Sequence, residues 1–190
     1  MKHIFFCLVH AAALSLAAPA FASPFYPTEA AVFFSPNGGA EDAIVRSIDS
    51  AKSRIRMQAV LFSNKEITGA LIRAHQRGVK VDVIIDKKMP KKKPNTTEDL
   101  IEAGVPTFFD TAHRTAHDKI IIVDDDIVLT GSFNFVKVAE TKNGENLLIL
   151  KSKPLAEEYV KNWEKHFTHS VPAAPEKEKG TEVPLTKTQN

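Results

Sequence analysis

Cysteine is nearly absent from this sequence, since Cys7 is the only one among 190 residues. Cys7 lies in a segment with the pattern of a secretory signal peptide, in which Lys2 precedes an apolar run and Ala20 and Ala22 form a small-residue cleavage site. We expect cleavage after Ala22, so that residues 1–22 are a signal peptide and the mature protein is periplasmic or secreted. Without Cys7, the mature chain has no disulfide, no thiolate metal ligand and no cysteine nucleophile.

The sequence also lacks a long apolar run of the kind that spans a membrane. The apolar stretch at residues 4–18 is short for this purpose, because a spanning helix needs about 20 apolar residues. An uncleaved membrane anchor is the alternative to a signal peptide, but the cleavage site favours export. We therefore expect no stable membrane insertion after cleavage.

Strong charge of one sign is missing as well. Lysine and arginine number 25 and the acidic residues 23, a formal net charge of +2, so the overall charge does not indicate a nucleic-acid partner. Large apolar residues are scarce in residues 170–190, which are rich in proline, glutamate, lysine and threonine, and this composition predicts a disordered tail. The remaining residues, 23–169, have the size of one domain.

Within that domain, helical and strand-like patterns alternate. Asn64 is the expected cap of a helix that ends at Gly78, and Pro154 opens a carboxyl-terminal helix. Helices are predicted at residues 38–53, 64–78, 96–104 and 154–167, with a short one after Asn134, and strands at residues 54–62, 79–86, 105–109 and 146–151 and on both sides of residues 124–126. The predicted fold class is α/β, a layered α/β/α domain with a mixed, largely buried β-sheet.

The stretch "HDKIIIVDDDIVLTGSFNF" at residues 117–135 carries the chemistry. Residues two apart on a strand point the same way, so His117 and Lys119 can meet on one small anion. Gly131 allows an unusual backbone angle or a close approach, while Ser132 and Asn134 supply donors without negative charge. A solvated strand end followed by a simple turn is the alternative interpretation for any one of these residues.

The spacing His-x-Lys, four residues, Asp, six residues, Gly-Ser-x-Asn resembles the signature of the phospholipase D superfamily without a gap. Residues 50–63, 77–86 and 139–150 are also similar to the small bacterial exported endonucleases of that superfamily. The resemblance implies a phospholipase D-like nuclease domain at residues 23–169 that cleaves DNA, and also RNA, with little sequence specificity and without a cofactor or metal.

Superfamily members use two copies of this motif in one site, whereas this chain has one. The resemblance therefore implies a homodimer in which the two His117 side chains meet, one attacking phosphorus to form a phosphohistidine and the other protonating the leaving oxygen. Lys119 and Asn134 would hold the non-bridging oxygens, Ser132 would be a further donor, and Glu145 would orient an imidazole. Asp124 is a candidate catalytic group, with a structural role in the turn as the favoured alternative.

Other readings of the same residues remain open. A metal-dependent phosphodiesterase could draw its ligands from His113, His117, Asp118, Asp124, Asp125 and Asp126, although Lys119 would place a positive charge beside the ion. The motif also fits a phospholipase D-type enzyme acting on lipids, or a relative that binds nucleic acid without cutting it. His75, His166 and His169 are interpreted as surface or helix-end histidines. Candidate contacts to a DNA backbone are His113, Arg114, Lys87, Lys88, Lys91, Lys92 and Lys93.

Overall fold

The computed structural model describes residues 25–89 and 95–173. The strands are β1 Glu29–Ser35, β2 Arg54–Ala59, β3 Lys80–Asp86, β4 Thr107–Asp110, β5 Lys119–Val123, β6 Ile127–Gly131, β7 Glu145–Lys151 and β8 Ser170–Pro172. The helices are α1 Ala40–Ser50, α2 Lys65–Gln76, α3 Thr97–Glu102, α4 Lys137–Thr141 and α5 Lys153–Thr168. Every helix and strand predicted for the domain is present, with ends that differ by a few residues.

The strands form one eight-stranded sheet in the order β1-β7-β6-β5-β2-β3-β4-β8. β2, β3 and β4 are parallel neighbours, and the other pairs are antiparallel. One face packs on α1, α2, α3 and α4 through residues such as Ile44, Leu71 and Ile121, and the other packs on α5 through Ile122 and Trp163. The predicted layered α/β/α fold with a mixed, largely buried sheet is confirmed.

Local sequence signals account for the start and the end of α2. The Asn64 side chain accepts hydrogen bonds from the backbone N–H groups of Glu66 and Ile67, which otherwise lack helical partners. Beyond the helix, Gly78 has a φ of 86°, the left-handed conformation that lets the chain turn into β3. Together the two signals set the bounds of α2, which connects the parallel strands β2 and β3.

Two edge strands, β1 and β8, were not predicted. The expected start of the disordered tail at residue 170 is wrong, because Ser170–Pro172 pairs antiparallel with β4 and extends the sheet. The predicted signal peptide and the rest of the tail, 174–190, lie outside the described residues. Within the described parts of the chain, no helix has the length and apolar character to cross a membrane.

The strand directions bring many polar residues to one edge of the sheet, the edge that is formed by strand ends and not by an outer strand. Ala59 at the end of β2 pairs with Lys119 at the start of β5, Gly131 at the end of β6 lies opposite Leu147, and Ser35 at the end of β1 pairs with Glu145. Strands β3 and β4 run parallel to β2 and end at the same edge. Such an edge, where strand ends and loops meet, is the usual place for a ligand site in an α/β sheet.

Asp124 lies at the opposite edge, five residues along β5 from Lys119 and so about 16 Å from it at the usual strand rise. Its carboxylate accepts hydrogen bonds from the backbone N–H groups of Lys52, Ser53 and Arg54 and from the Ser53 hydroxyl. Asp124 and the next residue adopt positive φ angles of 52° and 56° in the β5–β6 turn. The catalytic assignment of Asp124 is therefore wrong, and the structural alternative explains it.

We expect Asp124→Asn to lower the free energy of unfolding by about 1–3 kcal/mol, since an amide offers one acceptor where the carboxylate serves several donors. Chemical denaturation would measure this. Burial raises the pKa of Asp124, but the N–H groups of Arg54, Ser53 and Lys52 outweigh it and hold the pKa below its usual value. The contribution of the Asp124 carboxylate to the free energy of unfolding is thus complete above the unfolded pKa of about 3.9. It is lost as the pH falls through the lower pKa of the folded state.

The matched control is Asp126→Asn in the same turn, whose side chain makes none of these contacts to the β2 segment. Equal destabilisation by the two variants at pH 7, or a difference between wild type and Asp124→Asn that persists unchanged at pH 2, would contradict the role given to Asp124.

Candidate active site

An open cleft of about 700 Å³ lies at the edge where the strand ends meet. It is bounded by the start of β5, the end of β6 with the loop that follows, and one side of α5. The lining residues are His117, Asp118, Lys119, Ile120, Thr130, Gly131, Ser132, Asn134, Glu158, Tyr159 and Asn162. The structure therefore brings together the histidine, lysine, serine and asparagine that the sequence pattern singled out.

His117 and Lys119 are direct neighbours in the cleft. The Lys119 Nζ atom lies 3.1 Å from His117 Nδ1 and donates to the His117 carbonyl oxygen at 2.9 Å. Lys119 is buried while His117 is exposed. Burial lowers the pKa of Lys119, opposed by the negative charges of Asp118 and Glu145. When the ammonium donates to Nδ1, the single proton of the neutral imidazole lies on Nε2.

Gly131 shapes the backbone beside this pair. Its φ is 147°, and a Cβ atom at this position would come within 2.3 Å of the Asn146 carbonyl oxygen. Both the unusual angle and the close approach that the sequence suggested are thus present, and they exclude any larger residue. The following Ser132 is held from both sides, since its hydroxyl donates to Glu145 Oε2 at 2.7 Å and accepts from the Asn146 N–H at 3.1 Å.

Glu145 does not have the contact predicted for it. Its two carboxylate oxygens accept from Ser132 and from Asn143 Nδ2, at 2.7 and 3.0 Å, and no hydrogen bond joins it to an imidazole within the described chain. The expectation that Glu145 orients an imidazole is therefore not met within one subunit. Its observed role is to position the Ser132 hydroxyl at the rim of the cleft.

Asn134 is held in the cleft with unused hydrogen-bonding capacity. Its Oδ1 atom is buried and has no partner among the described residues, although nearly all buried polar atoms in proteins are paired. That oxygen is an acceptor, so the group of Asn134 that can donate to a phosphate is its Nδ2 amide nitrogen. An ammonium, an imidazole, a hydroxyl and an amide thus line one open volume. This set offers several donors and a positive charge, which suits a phosphate group and is unfavourable for a metal cation.

The residues predicted to contact a DNA backbone lie at the same edge of the sheet, but several of their side chains already form hydrogen bonds within the chain. Lys87 Nζ donates to the Thr111 carbonyl oxygen at 2.7 Å, and Lys88 donates to the Arg114 carbonyl oxygen and to Thr115. The side chain of His113 faces Asp110, whereas Arg114 is exposed. The role of these residues in substrate binding stays a prediction. Lys91, Lys92 and Lys93 lie outside the described residues.

The six-residue metal set considered from the sequence does not assemble. Asp124 and Asp125 lie at the far end of β5 from His117, where Asp125 pairs with Arg56. Asp118 accepts from Gln58 Nε2 at 2.9 Å. His113 instead joins Asp110, His166 and His169, a group we call the Asp110 cluster. The metal site considered from those six residues is therefore wrong.

Sequence reasoning missed two features around the cleft. His166 lies at a helix end, in the last turn of α5, as interpreted from the sequence, but it is not a surface residue, because its side chain is 13% exposed and bonds to Asp110. The spacing of His166 and His169, three apart at a helix end, was the available signal. The α5 residues Glu158, Tyr159 and Asn162 line the cleft, but their helical pattern gave no sign of which strands α5 would cover.

Comparison with known proteins agrees with this geometry. Residues 44–169 match the family described as cardiolipin synthase, PLD-like domain. The chain is similar to the phospholipase D of Rickettsia typhi, at 40% identity over 130 residues that make up 68% of this chain and 64% of that protein. It is also similar to the mitochondrial cardiolipin hydrolase of Xenopus laevis, at 32% identity over 145 residues, covering 68% of this chain and 69% of that protein.

A solved structure shows the same fold. The crystal structure of Nuc, a phospholipase D family member from Salmonella typhimurium, superposes with a TM-score of 0.74 at 36% identity, covering 77% of this chain and 99% of that chain. Sequence and structure thus agree over the part of the chain that forms the sheet and the cleft. The chain belongs to the phospholipase D superfamily.

Proposed function

We propose that this protein is a phosphodiesterase of the small, single-motif nuclease branch, a sequence-nonspecific endonuclease that cleaves DNA, with RNA as a further substrate. The observation that carries the proposal is the contact between Lys119 and His117 in an open cleft that Ser132 and Asn134 also line. A phosphodiester is the common group that this combination of nucleophile and donors would recognise.

The proposed reaction has two steps. Nε2 of one neutral His117, whose proton lies on Nδ1, attacks phosphorus, the bond to the leaving oxygen breaks, and a second His117 in its imidazolium form gives that oxygen its Nε2 proton and becomes a neutral imidazole. In both forms Nδ1 carries a proton, so the Lys119 ammonium donates to the His117 carbonyl oxygen and to the substrate instead of to Nδ1. The second imidazole then takes a proton from water, whose oxygen attacks phosphorus and breaks the phosphorus–nitrogen bond. Lys119 and Asn134 stabilise the charge on the non-bridging oxygens in both steps. No metal or cofactor takes part.

One chain supplies one His117, so the second must come from a partner subunit. The surface beside the cleft supports a homodimer, because α5 covers the middle of its face and leaves an apolar patch of β1 and β7 uncovered. In this patch, Val32 is 50% exposed and Phe34 63%, and Val32 lies opposite Leu148 in the sheet. A two-fold axis through this patch would bring two clefts together and bury the exposed side chains.

DNA is favoured over lipid by the groups around the cleft. Lys87, Lys88 and Arg114 lie at the same edge and supply positive charge that a phosphate backbone would meet. A lipid substrate is the second candidate, since the relatives include proteins named phospholipase D and cardiolipin hydrolase.

We also propose export to the periplasm or the medium, based on the pattern of residues 1–22.

The test is incubation of the purified protein with circular DNA in excess EDTA, in parallel with phosphatidylcholine and cardiolipin vesicles. We expect nicked and then linear DNA in EDTA, because the proposed reaction uses only side chains and water. Cleavage of DNA only after Mg²⁺ is added in excess of the EDTA would contradict the mechanism. Hydrolysis of vesicles with DNA left intact would replace the nuclease by the lipid enzyme.

A further inference from the structure

The Asp110 cluster is separate from the catalytic groups and has a geometry of its own. Asp110 ends β4, and its side chain is fully buried. Around its Oδ2 atom lie His113 Nδ1 at 2.9 Å, His166 Nδ1 at 2.8 Å and His169 Nε2 at 3.3 Å. Three imidazoles from a loop and from the end of α5 therefore converge on one carboxylate oxygen.

No lysine or arginine among the described residues pairs with Asp110. Its partners are these three imidazoles and the backbone N–H groups of Ala112 and His113. A buried carboxylate is costly unless it is paired or binds a metal. Protonating all three imidazoles would place positive charges on rings whose centroids are only 4.6–5.5 Å apart. A bound cation supplies the missing charge without that repulsion.

The spacing and the donor types fit one such cation. Four ligands at about 2.0–2.1 Å from Zn²⁺ in a tetrahedron lie about 3.3 Å from one another. The three nitrogen–oxygen distances in the cluster are 2.8, 2.9 and 3.3 Å, and one donor atom from each of the four residues can be chosen so that all lie within 4.8 Å. Imidazole with a single carboxylate suits Zn²⁺ rather than Mg²⁺ or Ca²⁺, which prefer oxygen ligands.

We propose that Asp110, His113, His166 and His169 form a zinc site. Zn²⁺ takes the lone pairs of the three nitrogens that face Asp110, and each neutral imidazole keeps its proton on the other ring nitrogen. At His166 the ion takes the Nδ1 lone pair in place of the Gln58 Nε2–H group, which lies 2.9 Å from Nδ1. Because the protein fills four positions, the site is structural and leaves no open position for a reaction. His113 is 46% exposed, which gives the ion a route from solvent.

The zinc site ties the loop before the motif to α5. His113 lies in this loop only four residues before His117. Gln58, which lies beside His166, donates to Asp118 in the cleft at 2.9 Å. The ion thus fixes the approach of the chain to the cleft, although it takes no part in the proposed reaction. Removing the ion is expected to lower the melting temperature clearly while the turnover of DNA changes little.

The test uses the untagged protein, stripped with EDTA, dialysed and titrated with ZnCl₂ by calorimetry, with bound metal measured after gel filtration. We expect one zinc per chain, a rise in melting temperature, and with CoCl₂ the visible absorption of four-coordinate Co²⁺. His113→Ala and His169→Ala should each weaken zinc binding at least about 100-fold. The control variants His75→Ala and His117→Ala, which lie outside the cluster, should bind zinc as the wild type does.

Zinc binding that is equal in His113→Ala, His169→Ala and the controls would overturn the proposal, as would a wild type that takes up no zinc. Histidine ¹⁵N chemical shifts of the wild type with and without ZnCl₂ provide a readout that needs no variant. We expect three metal-bound imidazole nitrogens, and spectra unchanged by zinc would refute the site even if a variant failed to fold. DNA cleavage is not part of this test, so the zinc site and the nuclease can fail independently.

Discussion

Replacing His117 with alanine is expected to lower DNA turnover by about 10³-fold or more, since the change removes both the nucleophile and the general acid of the proposed site. His117 is exposed in the cleft and has no role in the core, so the variant should fold, dimerise and still bind DNA. Nicking rates on circular DNA, with binding measured by fluorescence anisotropy, would check both parts. Turnover within tenfold of the wild type would remove His117 from the mechanism.

A mixed dimer separates the shared site from two independent ones. Co-expressing differently tagged wild-type and His117→Ala chains and purifying through both tags gives a dimer with one His117. Its turnover should fall to a few per cent of the wild type, because one imidazole cannot be on both sides of an in-line displacement. Half of the wild-type activity would mean that each subunit works alone.

The second large effect is expected from Phe34→Glu, which places a charge in the apolar patch of β1. Burying two such carboxylates across a two-fold axis without partners is unfavourable by several kcal/mol, so the variant should be monomeric at micromolar concentration. Cleavage should fall with the dimer, on the order of 100-fold. Light scattering after gel filtration gives the mass, and the nicking assay gives the activity.

Val171→Glu is the matched control, because Val171 is 46% exposed on β8, the outermost strand on the side of the sheet opposite β1. This variant should keep the mass and the activity of the wild type. A Phe34→Glu protein that remains an active dimer would place the interface elsewhere, and an active monomer would remove the need for a dimer.

Much of the fold could be predicted because the central elements carry complete local signals. Asn64 and Gly78 bound α2, and the apolar runs of β3 and β5 are buried on both faces. β1 and β8 gave no such signal. β8 has only three residues, and five of the seven β1 residues are exposed, so neither strand has an alternating apolar pattern. Each is a strand because a neighbouring strand offers hydrogen-bond partners.

The site was predictable to the extent that it lies in consecutive residues. His117, Lys119, Ser132 and Asn134 belong to one hairpin and its flanks, so their spacing alone brings them together. The observed partners of Glu145 and Asp124 could not be predicted from local spacing, because they come from other parts of the chain, Ser132 after β6 and the residues at the start of β2. The Asp110 cluster depends on how α5 crosses the sheet, which no local pattern specifies.

The β5–β6 hairpin has a genetic consequence in the proposed dimer. One codon specifies both copies of each hairpin residue, so evolution cannot adapt one His117 for attack and the other for proton donation. The same imidazole environment must serve both tasks, and either strand polarity of a bound DNA meets an identical set of groups. Specialisation of the two roles would first require a duplicated gene, in which the two hairpins could diverge.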